Sequence, residues 1–295
     1  MKKIDPTELG ATLFIPALHK DLLAVAEGKK YPNLKSVLID SEDGIDESDL
    51  ADAITKIKEL LIKLKKGSCL VFIRPRDVEV LKEFLTFDGI EKIDGFILPK
   101  FSLENADEYL RVLGNSYAFM PSIEGEELFN HAKLIQLRDI LLLSFEQIIT
   151  IRFGLEDMLR QLRIGRKCND SVFDFSATSA VLGNFIATFK SAGFNVSGGV
   201  YPCFKEMDWF KLDVLRDLKE GLFSKTIIHP NQIDIVNELY KVSAKEFEEA
   251  LEICESSKSL FNQDGKMAEV TTMKPRAQET IKRAEIYGIY KNRQY

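Results

Sequence analysis

The chain has 295 residues, of which 45% are hydrophobic and 29% charged, as in a soluble globular protein with a sizeable core. Its net charge of -6 and isoelectric point near 5.4 argue against a nucleic-acid partner, which usually meets a basic face. No apolar stretch approaches the roughly 20 residues that span a bilayer, so no membrane association is expected.

The N-terminal segment and the cysteines predict a cytoplasmic protein. Two lysines near the start are not followed by the apolar segment of a signal peptide. The cysteines lie far apart and form no Cys-x-x-Cys pair, so we expect reduced, mostly buried thiols rather than disulfides or zinc ligands. The four cysteines are Cys69, Cys168, Cys203 and Cys254.

Apolar runs rich in β-branched residues recur along the chain, each bounded by turn residues. They predict eight strands, at 12–16, 36–40, 69–74, 95–99, 117–123, 148–153, 196–201 and 226–229. Segments with helical periodicity separate them, at 48–65, 103–113, 126–138, 176–191 and 210–220. Eight alternations indicate a parallel sheet closed into a (β/α)8 TIM barrel; an open doubly wound sheet is the alternative, which rarely needs eight repeats.

The sequence predicts one barrel domain at 1–240 and a C-terminal helical extension at 241–295. Helical patterns at 244–260 and 275–287 are joined by residues 261–269, which could act as a lid or an oligomer contact. The polar stretch 163–171, between the sixth and seventh predicted strands, is predicted to be an exposed loop or an oligomer contact.

Two carboxylates follow neighbouring predicted strands, at Glu124 and Asp157. Their separation is about the length of one strand-helix-strand unit, so both should emerge at the carboxyl edge, where barrels build active sites. Two hard oxygen ligands with open positions suit Mg²⁺, with Mn²⁺ as the alternative ion. The competing interpretation is that each carboxylate only stabilises a helix N-terminus, by ~0.3–1 kcal/mol.

Further ionisable residues follow the second, third and fourth predicted strands. They are Asp40, Glu42, Asp43, Arg74, Arg76 and Lys100. By the barrel rule such residues are candidates for catalysis and substrate binding. In the alternative interpretation the acids are turn formers, Arg74 forms a structural salt bridge to Asp40 or Glu42, and Lys100 is a solvated loop residue.

The order and spacing of these motifs resemble the citrate lyase β-subunit and HpcH-HpaI aldolase family. The resemblance covers nearly the whole chain, in segments 13–16, 40–43, 98–100, 123–124, 154–157, 199–201, 225–233 and 265–269, with Arg74 between them. It implies a metal held by Glu124 and Asp157 and a homotrimer or a multiple of one.

The resemblance also implies roles for the other site residues. Arg74 would bind the substrate carboxylate or the developing enolate, with Arg76 and Lys100 as further substrate-binding residues. Glu42 and Asp43 would orient metal-bound waters. Glu269 stands where the family places a general acid, often delivered from a neighbouring subunit.

Several positions depart from the family pattern. Residues 10–12 replace an Arg-Ser associated with the thioester, Arg76 replaces an asparagine, and Gly198 and Glu269 each replace an aspartate. These replacements argue against binding of a coenzyme A thioester.

We therefore expect an enzyme: a Mg²⁺-dependent carbon–carbon lyase acting through an enolate on a 2-oxoacid or acyl-thioester type substrate. Two alternatives remain open at this stage. One is a catalytically silent barrel that binds metal and carboxylate; the other is a pyruvate-type aldolase that does not use coenzyme A.

Overall fold

The structure, a computed structural model, describes residues 3–291, so the outermost ends of the two predicted domains (1–2 and 292–295) lie outside the described residues. The chain divides into two compact units, Met1–Ile233 and Asp234–Tyr295. The division falls seven residues before the end of the predicted barrel domain at 240.

Seven strands of the first unit pair in parallel. In chain order they are β1 (Ala11–Pro16), β2 (Ser36–Asp40), β3 (Leu70–Arg74), β4 (Gly95–Leu98), β5 (Phe119–Ile123), β6 (Arg152–Phe153) and β7 (Lys225–Ile227). Their order across the sheet is β6-β5-β4-β3-β2-β1-β7, so consecutive strands from β1 to β6 are neighbours. Every residue of β2, β4 and β5 is buried, which explains their unbroken apolar runs, since parallel strands are covered on both faces.

The seventh predicted strand, 196–201, is not a regular strand, and this part of the prediction is wrong. Val196 makes a single parallel bridge to Ile151, and Gly198 makes one to Lys225. These bridges link the two edges of the sheet, so it closes into the predicted α/β barrel. A regular strand is disfavoured here because adjacent glycines at 198 and 199 add no side chain to pack and weaken extended structure.

Helices return the chain between the strands of the first unit. They are α1 (Leu22–Ala26), α2 (Leu50–Lys63), α3 (Val78–Phe84), α4 (Ala106–Leu113), α5 (His131–Leu142), α6 (Leu155–Leu162), α7 (Ser176–Lys190) and α8 (Met207–Lys219); α9 (Ile233–Leu239) begins at the division. Helix α3 begins at Val78 because the Asp77 carboxylate accepts a 2.9 Å hydrogen bond from the Val80 N–H.

Inside the barrel, alternate strand residues form an apolar core. Leu38, Phe72, Ile97 and Met120 belong to one buried cluster, and Phe14 packs against it. Large side chains from several strands fill the interior, as in barrels of this type, so the barrel has a packed floor rather than an open channel.

The second unit contains helices α10 (Ala244–Glu255) and α11 (Val270–Tyr287), with strands β8 (Val242–Ser243), β9 (Leu260–Gln263), β10 (Lys266–Glu269) and β11 (Ile289–Tyr290). The predicted helix 244–260 ends at Glu255, and residues 260–269 form an antiparallel hairpin. Asp264 and Gly265 at its tip have φ of 50° and 81°, the left-handed backbone that a two-residue hairpin turn requires.

The structure contradicts the prediction that all four cysteines are thiols. Cys168 and Cys203 form a disulfide with their Cα atoms 5.7 Å apart, whereas Cys69 and Cys254 are free. The two cysteines are 35 positions apart in the sequence, which gives no sign of their proximity, because only the fold brings the two loops together. The disulfide links the polar stretch 163–171 to the loop that follows residues 196–201.

Among residues 3–291, no helix is both long enough and apolar enough to cross a lipid bilayer.

Candidate functional site

Polar side chains gather at the carboxyl edge of the sheet. The strand register places Asp40 opposite Arg74 on the neighbouring strand. Lys100 follows β4, Glu124 follows β5, and Asp157 lies in the first turn of α6. The fold thus gathers residues from five segments that the sequence predicted for this edge.

Arg74 is bound by the carboxylate of Asp40. Its Nε donates to Asp40 Oδ1 at 2.6 Å and its Nη2 to Oδ2 at 2.8 Å. Nη1 also lies 2.9 Å from Oε2 of Glu42, which completes an ion pair without hydrogen-bond geometry. Burial acts to lower the pKa of Arg74, but the hydrogen bonds and charge of Asp40 outweigh it and raise the pKa. The guanidinium therefore has the structural salt bridge that was the alternative interpretation.

The buried carboxylate of Glu42 forms an ion pair with the exposed side chain of Lys100, whose Nζ also donates to Asp43 Oδ1 at 3.2 Å. Burial raises the pKa of Glu42 to about 7, against the opposing charge of Arg74. The pKa of Asp43 moves the other way: partial burial acts to raise it, but the hydrogen bond from Glu42 and the nearby cations lower it. One proton can therefore be shared within this pair near neutral pH.

Lys100 has a left-handed backbone, with φ of 46°, although it is not a glycine. Such a conformation is strained for a residue with a Cβ and is found preferentially at functional sites. A hydrogen bond of 2.9 Å from Asn105 Nδ2 to the Lys100 carbonyl oxygen helps to hold it. This backbone conformation accompanies the ion pair between Lys100 and Glu42.

Glu124 is 5% exposed, and its Oε2 atom is buried without a hydrogen-bond partner among the described residues. Burial raises the pKa of Glu124, and the negative charge of Asp157 adds to that rise. A Cβ at position 154 would lie 2.5 Å from Cγ of Glu124, so Gly154 leaves the space that the carboxylate side chain occupies. An orphaned, buried carboxylate oxygen is the donor that a divalent cation needs.

Asp157 stands close to Glu124 on the neighbouring segment. The Nε2 of Gln161 donates to the carbonyl oxygens of both residues, at 2.8 Å for Glu124 and 3.2 Å for Asp157. Asp157 Oδ1 also accepts a 2.6 Å hydrogen bond from Arg160.

Within residues 3–291, no cluster of three or more acidic, histidine or cysteine residues could hold a metal. Two carboxylates still fit Mg²⁺, which keeps several waters and shares its coordination with the substrate.

The two other predicted site residues are Arg76, in the first unit, and Glu269, in the second. Arg76 Nη2 donates to the carbonyl oxygens of Ile45 at 2.5 Å and Glu42 at 3.3 Å, so it braces the loop that follows β2. Glu269 is exposed in the second unit, between β10 and α11. Their predicted roles are not tested by these positions.

Two features were missed at the sequence level. Arg152 lies inside the barrel on β6, level with Ser122 of β5; a charged residue within an apolar strand was the available signal.

Lys225 is fully buried and pairs with Asp213 at 2.5 Å and Asp217 at 2.6 Å. A Cβ at position 198 would lie 2.3 Å from Asp217 Oδ2, so the glycine there makes room for a carboxylate contributed by α8.

Comparisons with curated proteins find relatives among lyases and thioesterases. A (3S)-malyl-CoA thioesterase of Cereibacter sphaeroides is 23% identical over 243 residues, which cover 81% of this chain and 79% of that protein. The citrate lyase β subunit of Escherichia coli is 27% identical over 151 residues, which cover 49% of this chain and 48% of that subunit.

Solved structures share the fold at lower identity. CitE of Mycobacterium tuberculosis, in complex with magnesium, acetoacetate and coenzyme A, has a TM-score of 0.68 at 17% identity, covering 94% of this chain and 98% of that chain. A lead(II) complex of Haloferax volcanii malate synthase has a TM-score of 0.66 at 14% identity, covering 92% and 80%.

The TIM-barrel class and the resemblance predicted from the sequence are confirmed by these findings. A family model described as C-C_Bond_Lyase of the TIM-Barrel fold matches residues 3–289. Because that match spans nearly the whole chain, the protein belongs to this carbon–carbon bond lyase family.

Proposed function

We propose that the protein is a Mg²⁺-dependent carbon–carbon lyase or aldolase that acts on a 2-oxoacid through an enolate. The observation that supports this most is the buried Oε2 of Glu124, which has no hydrogen-bond partner among the described residues and lies beside Asp157. A site that leaves a carboxylate oxygen buried and unpaired favours a cation there. Mg²⁺ held there would supply Lewis-acid polarisation of the substrate carbonyl.

The residues of the chain would position the substrate and exclude water. Glu124 and Asp157 would hold the ion, and Gly154 keeps the space for the Glu124 side chain. Arg74 lies at the same edge, where a permanently charged guanidinium stabilises negative charge that develops on an enolate. Because Arg74 is already bound by Asp40, its effect would be electrostatic at first, and a direct bond to substrate would require it to share that carboxylate.

Glu42 and Asp43 would orient the waters of the ion and hold a proton. Burial raises the pKa of Glu42 to about 7, where a group can both accept and release a proton at neutral pH. Lys100 keeps the pair from carrying two uncompensated negative charges, because its ammonium contacts both carboxylates. In this proposal the pair is the proton reservoir of the site.

The substrate is proposed to be a free acid. CitE of Mycobacterium tuberculosis has been solved with oxaloacetate and magnesium, and also with acetoacetate and coenzyme A. Residues 10–12 here are Gly-Ala-Thr, without the arginine that the family resemblance associates with a thioester. We therefore propose a pyruvate-type aldolase that does not use coenzyme A. The alternative is a catalytically silent binding protein.

Three finer points stay predictions. Glu269 is proposed as the general acid, with the 260–269 hairpin as a lid, and the assembly as a homotrimer or a multiple of one. A cytoplasmic location is also proposed, although the Cys168–Cys203 disulfide argues against it, since such bonds are rare in reducing compartments.

The proposal is tested by exchange of the pyruvate methyl protons in D₂O, followed by proton NMR. Enolisation removes a proton from C3 and returns a deuteron, so exchange needs no second substrate. We expect exchange that depends on Mg²⁺ and is abolished in Glu124→Gln. His229→Gln should retain it, because the His229 ring accepts the N–H of Asn231 at 3.3 Å and stacks on Phe204, which gives it a structural role. If wild-type protein with Mg²⁺ exchanges neither pyruvate nor 2-oxobutyrate and cleaves no 4-hydroxy-2-oxoacid, the protein is not such an enzyme, and the silent-barrel alternative replaces it.

A further inference from the structure

Arg152 is a buried cation that has no acidic partner within 4.0 Å in the described part of the chain. It is 3% exposed and points into the barrel, where Nη2 donates to the hydroxyl of Thr226. Its Nη1 lies 4.0 Å from the sulfur of Met120, a weak acceptor. These contacts leave the charge of the guanidinium without a counter-ion.

Other buried cations of this protein are neutralised by carboxylates. Arg74 is bound by Asp40, and Lys225 by Asp213 and Asp217. Arg166, with a side chain that is 4% exposed, also pairs with Asp213. Buried charges are normally paired in this way, because removing an ion from water is unfavourable without a partner. Arg152 has no such carboxylate partner among the described residues. Because an unpaired buried charge does not stabilise the barrel, the residue is better explained by a role in binding.

Arg152 lies within electrostatic range of Glu124 and Arg74 of the candidate site. Its guanidinium carbon is 5.2 Å from the centroid of the Phe14 ring, and that of Arg74 is 5.5 Å from the same centroid. The two cations are therefore separated by no more than the sum of those distances. Burial and the charge of Arg74 lower the pKa of Arg152 to about 9, while Glu124 is close enough to oppose this shift. Arg152 is still charged at neutral pH, and among the described residues Glu124 acts on it only from beyond ion-pair distance.

We propose that Arg152 is a specificity-determining residue that forms an ion pair with a second carboxylate of the substrate. This inference rests on the proposed function, in which the first carboxylate and the keto oxygen belong to the metal end of a 2-oxoacid. A carboxylate accepts two hydrogen bonds from one guanidinium, which suits the forked head of arginine. Arg74 cannot take this role as readily, because two of its nitrogens are already bound to Asp40. The site therefore binds dicarboxylic 2-oxoacids more tightly than monocarboxylic ones, and for a pyruvate-type aldolase the preferred substrate is a dicarboxylic aldol that releases pyruvate.

The test begins without metal, so that it does not depend on the proposed function. Malonate and acetate are titrated by calorimetry into wild-type protein, Arg152→Met and Arg152→Lys, all in EDTA. We expect wild type to bind malonate at least tenfold more tightly than acetate, Arg152→Met to lose that preference, and Arg152→Lys to retain part of it. Equal malonate affinity in wild type and Arg152→Met, or no preference for malonate in wild type, would overturn the inference.

Unfolding of the ligand-free variants separates binding from packing. Removing an unpaired buried charge should leave the urea midpoint of Arg152→Met unchanged or higher. The matched control Arg166→Met should lower it, because that change leaves Asp213 with one cation fewer. A lower midpoint for Arg152→Met together with unchanged malonate affinity would make Arg152 a packing residue and overturn the inference; Arg152→Lys, which keeps the charge, gives the binding result if Arg152→Met does not fold.

A second titration with Mg²⁺ compares oxaloacetate with pyruvate. A preference for oxaloacetate that is lost in Arg152→Met supports the inference in the presence of the ion. If Mg²⁺ strengthens neither ligand while the malonate result holds, the proposed function fails and the anion site at Arg152 stands.

Discussion

Arg74 and Asp40 form a two-point ion pair across neighbouring strands, with hydrogen bonds of 2.6 Å and 2.8 Å. The same carboxylate accepts the N–H groups of Glu42 at 3.0 Å and Gly44 at 2.9 Å. Asp40 thus fixes both the guanidinium and the loop that carries the acidic pair. The strand register makes this possible, because it places the two residues directly opposite each other.

The first prediction is that Asp40→Asn destabilises the protein by about 3 kcal/mol or more. Removing one member of a buried ion pair typically costs about 3–5 kcal/mol, and we expect the lower end of this range because Glu42, 2.9 Å from Nη1 of Arg74, still compensates part of the charge. The free energy of unfolding in urea measures the effect. Asp208→Asn is the control, because Asp208 pairs with Lys211 on the surface, where such pairs contribute little. Equal stability of Asp40→Asn and wild type would show that the pair does not hold the loop.

The second prediction concerns pH. Burial raises the pKa of Glu42 from 4.5 to about 7, so the folded state binds a proton more tightly than the unfolded state between these values. The stability that this group contributes is present below pH 4.5 and is lost as pH rises through about 7, with a slope of at most about 1.4 kcal/mol per pH unit.

Glu42→Gln should reduce the pH slope of stability, since the glutamine does not titrate. A smaller slope should remain, because burial also raises the pKa values of Glu124 and Asp217. Asp43 does not obscure the result: its lowered pKa confines its effect to pH values below about 4, where stability falls as pH falls. Urea unfolding between pH 5 and 8 is the measurement, with Glu104→Gln on the surface as the control. A slope as steep in Glu42→Gln as in wild type would assign it wholly to other groups.

The third prediction concerns the disulfide. Cys168 and Cys203 close a loop of 35 residues, and a crosslink of that span stabilises by about 3–4 kcal/mol in the chain-entropy model. The double variant Cys168→Ser with Cys203→Ser should therefore unfold at lower temperature, and dithiothreitol should bring wild type to the same value. Cys254→Ser should behave like wild type, because Cys254 is a free thiol. Thiol titration of unreduced, denatured protein should find two thiols; four would contradict the disulfide.

Much of the fold was predictable because its signals are local. The apolar runs that became β2, β3 and β5 are continuous, since both faces of a parallel sheet are buried. The alternation of strands and helices also predicted the positions of Glu124 and Asp157. Glu124 follows β5 directly, and Asp157 lies in the first turn of α6. The seventh segment was misjudged, because the sequence does not show that Asp217, from the predicted helix 210–220, occupies the space beside Gly198.

Other features depend on contacts between distant residues. No pattern near Cys168 indicates Cys203, and the ion pair of Lys225 with Asp213 and Asp217 forms only once the barrel closes. The hairpin at 260–269 had a local signal, the Asp264-Gly265 turn, although the sequence analysis described 261–269 only as a joining segment and possible lid. Arg152 was visible as a charge inside an apolar strand, but its lack of an acidic partner is a property of the folded barrel.

The central claim is that Glu124 and Asp157 hold a divalent cation that recruits a 2-oxoacid. The most direct measurement is calorimetric titration of Mg²⁺ into the protein with and without pyruvate, for wild type, Glu124→Gln and Asp157→Asn. The account predicts that wild type binds one Mg²⁺, that pyruvate tightens this binding, and that each variant loses it, while His229→Gln retains it. Undiminished Mg²⁺ binding in both variants, or no binding by wild type with pyruvate, oxaloacetate or glyoxylate present, would contradict it.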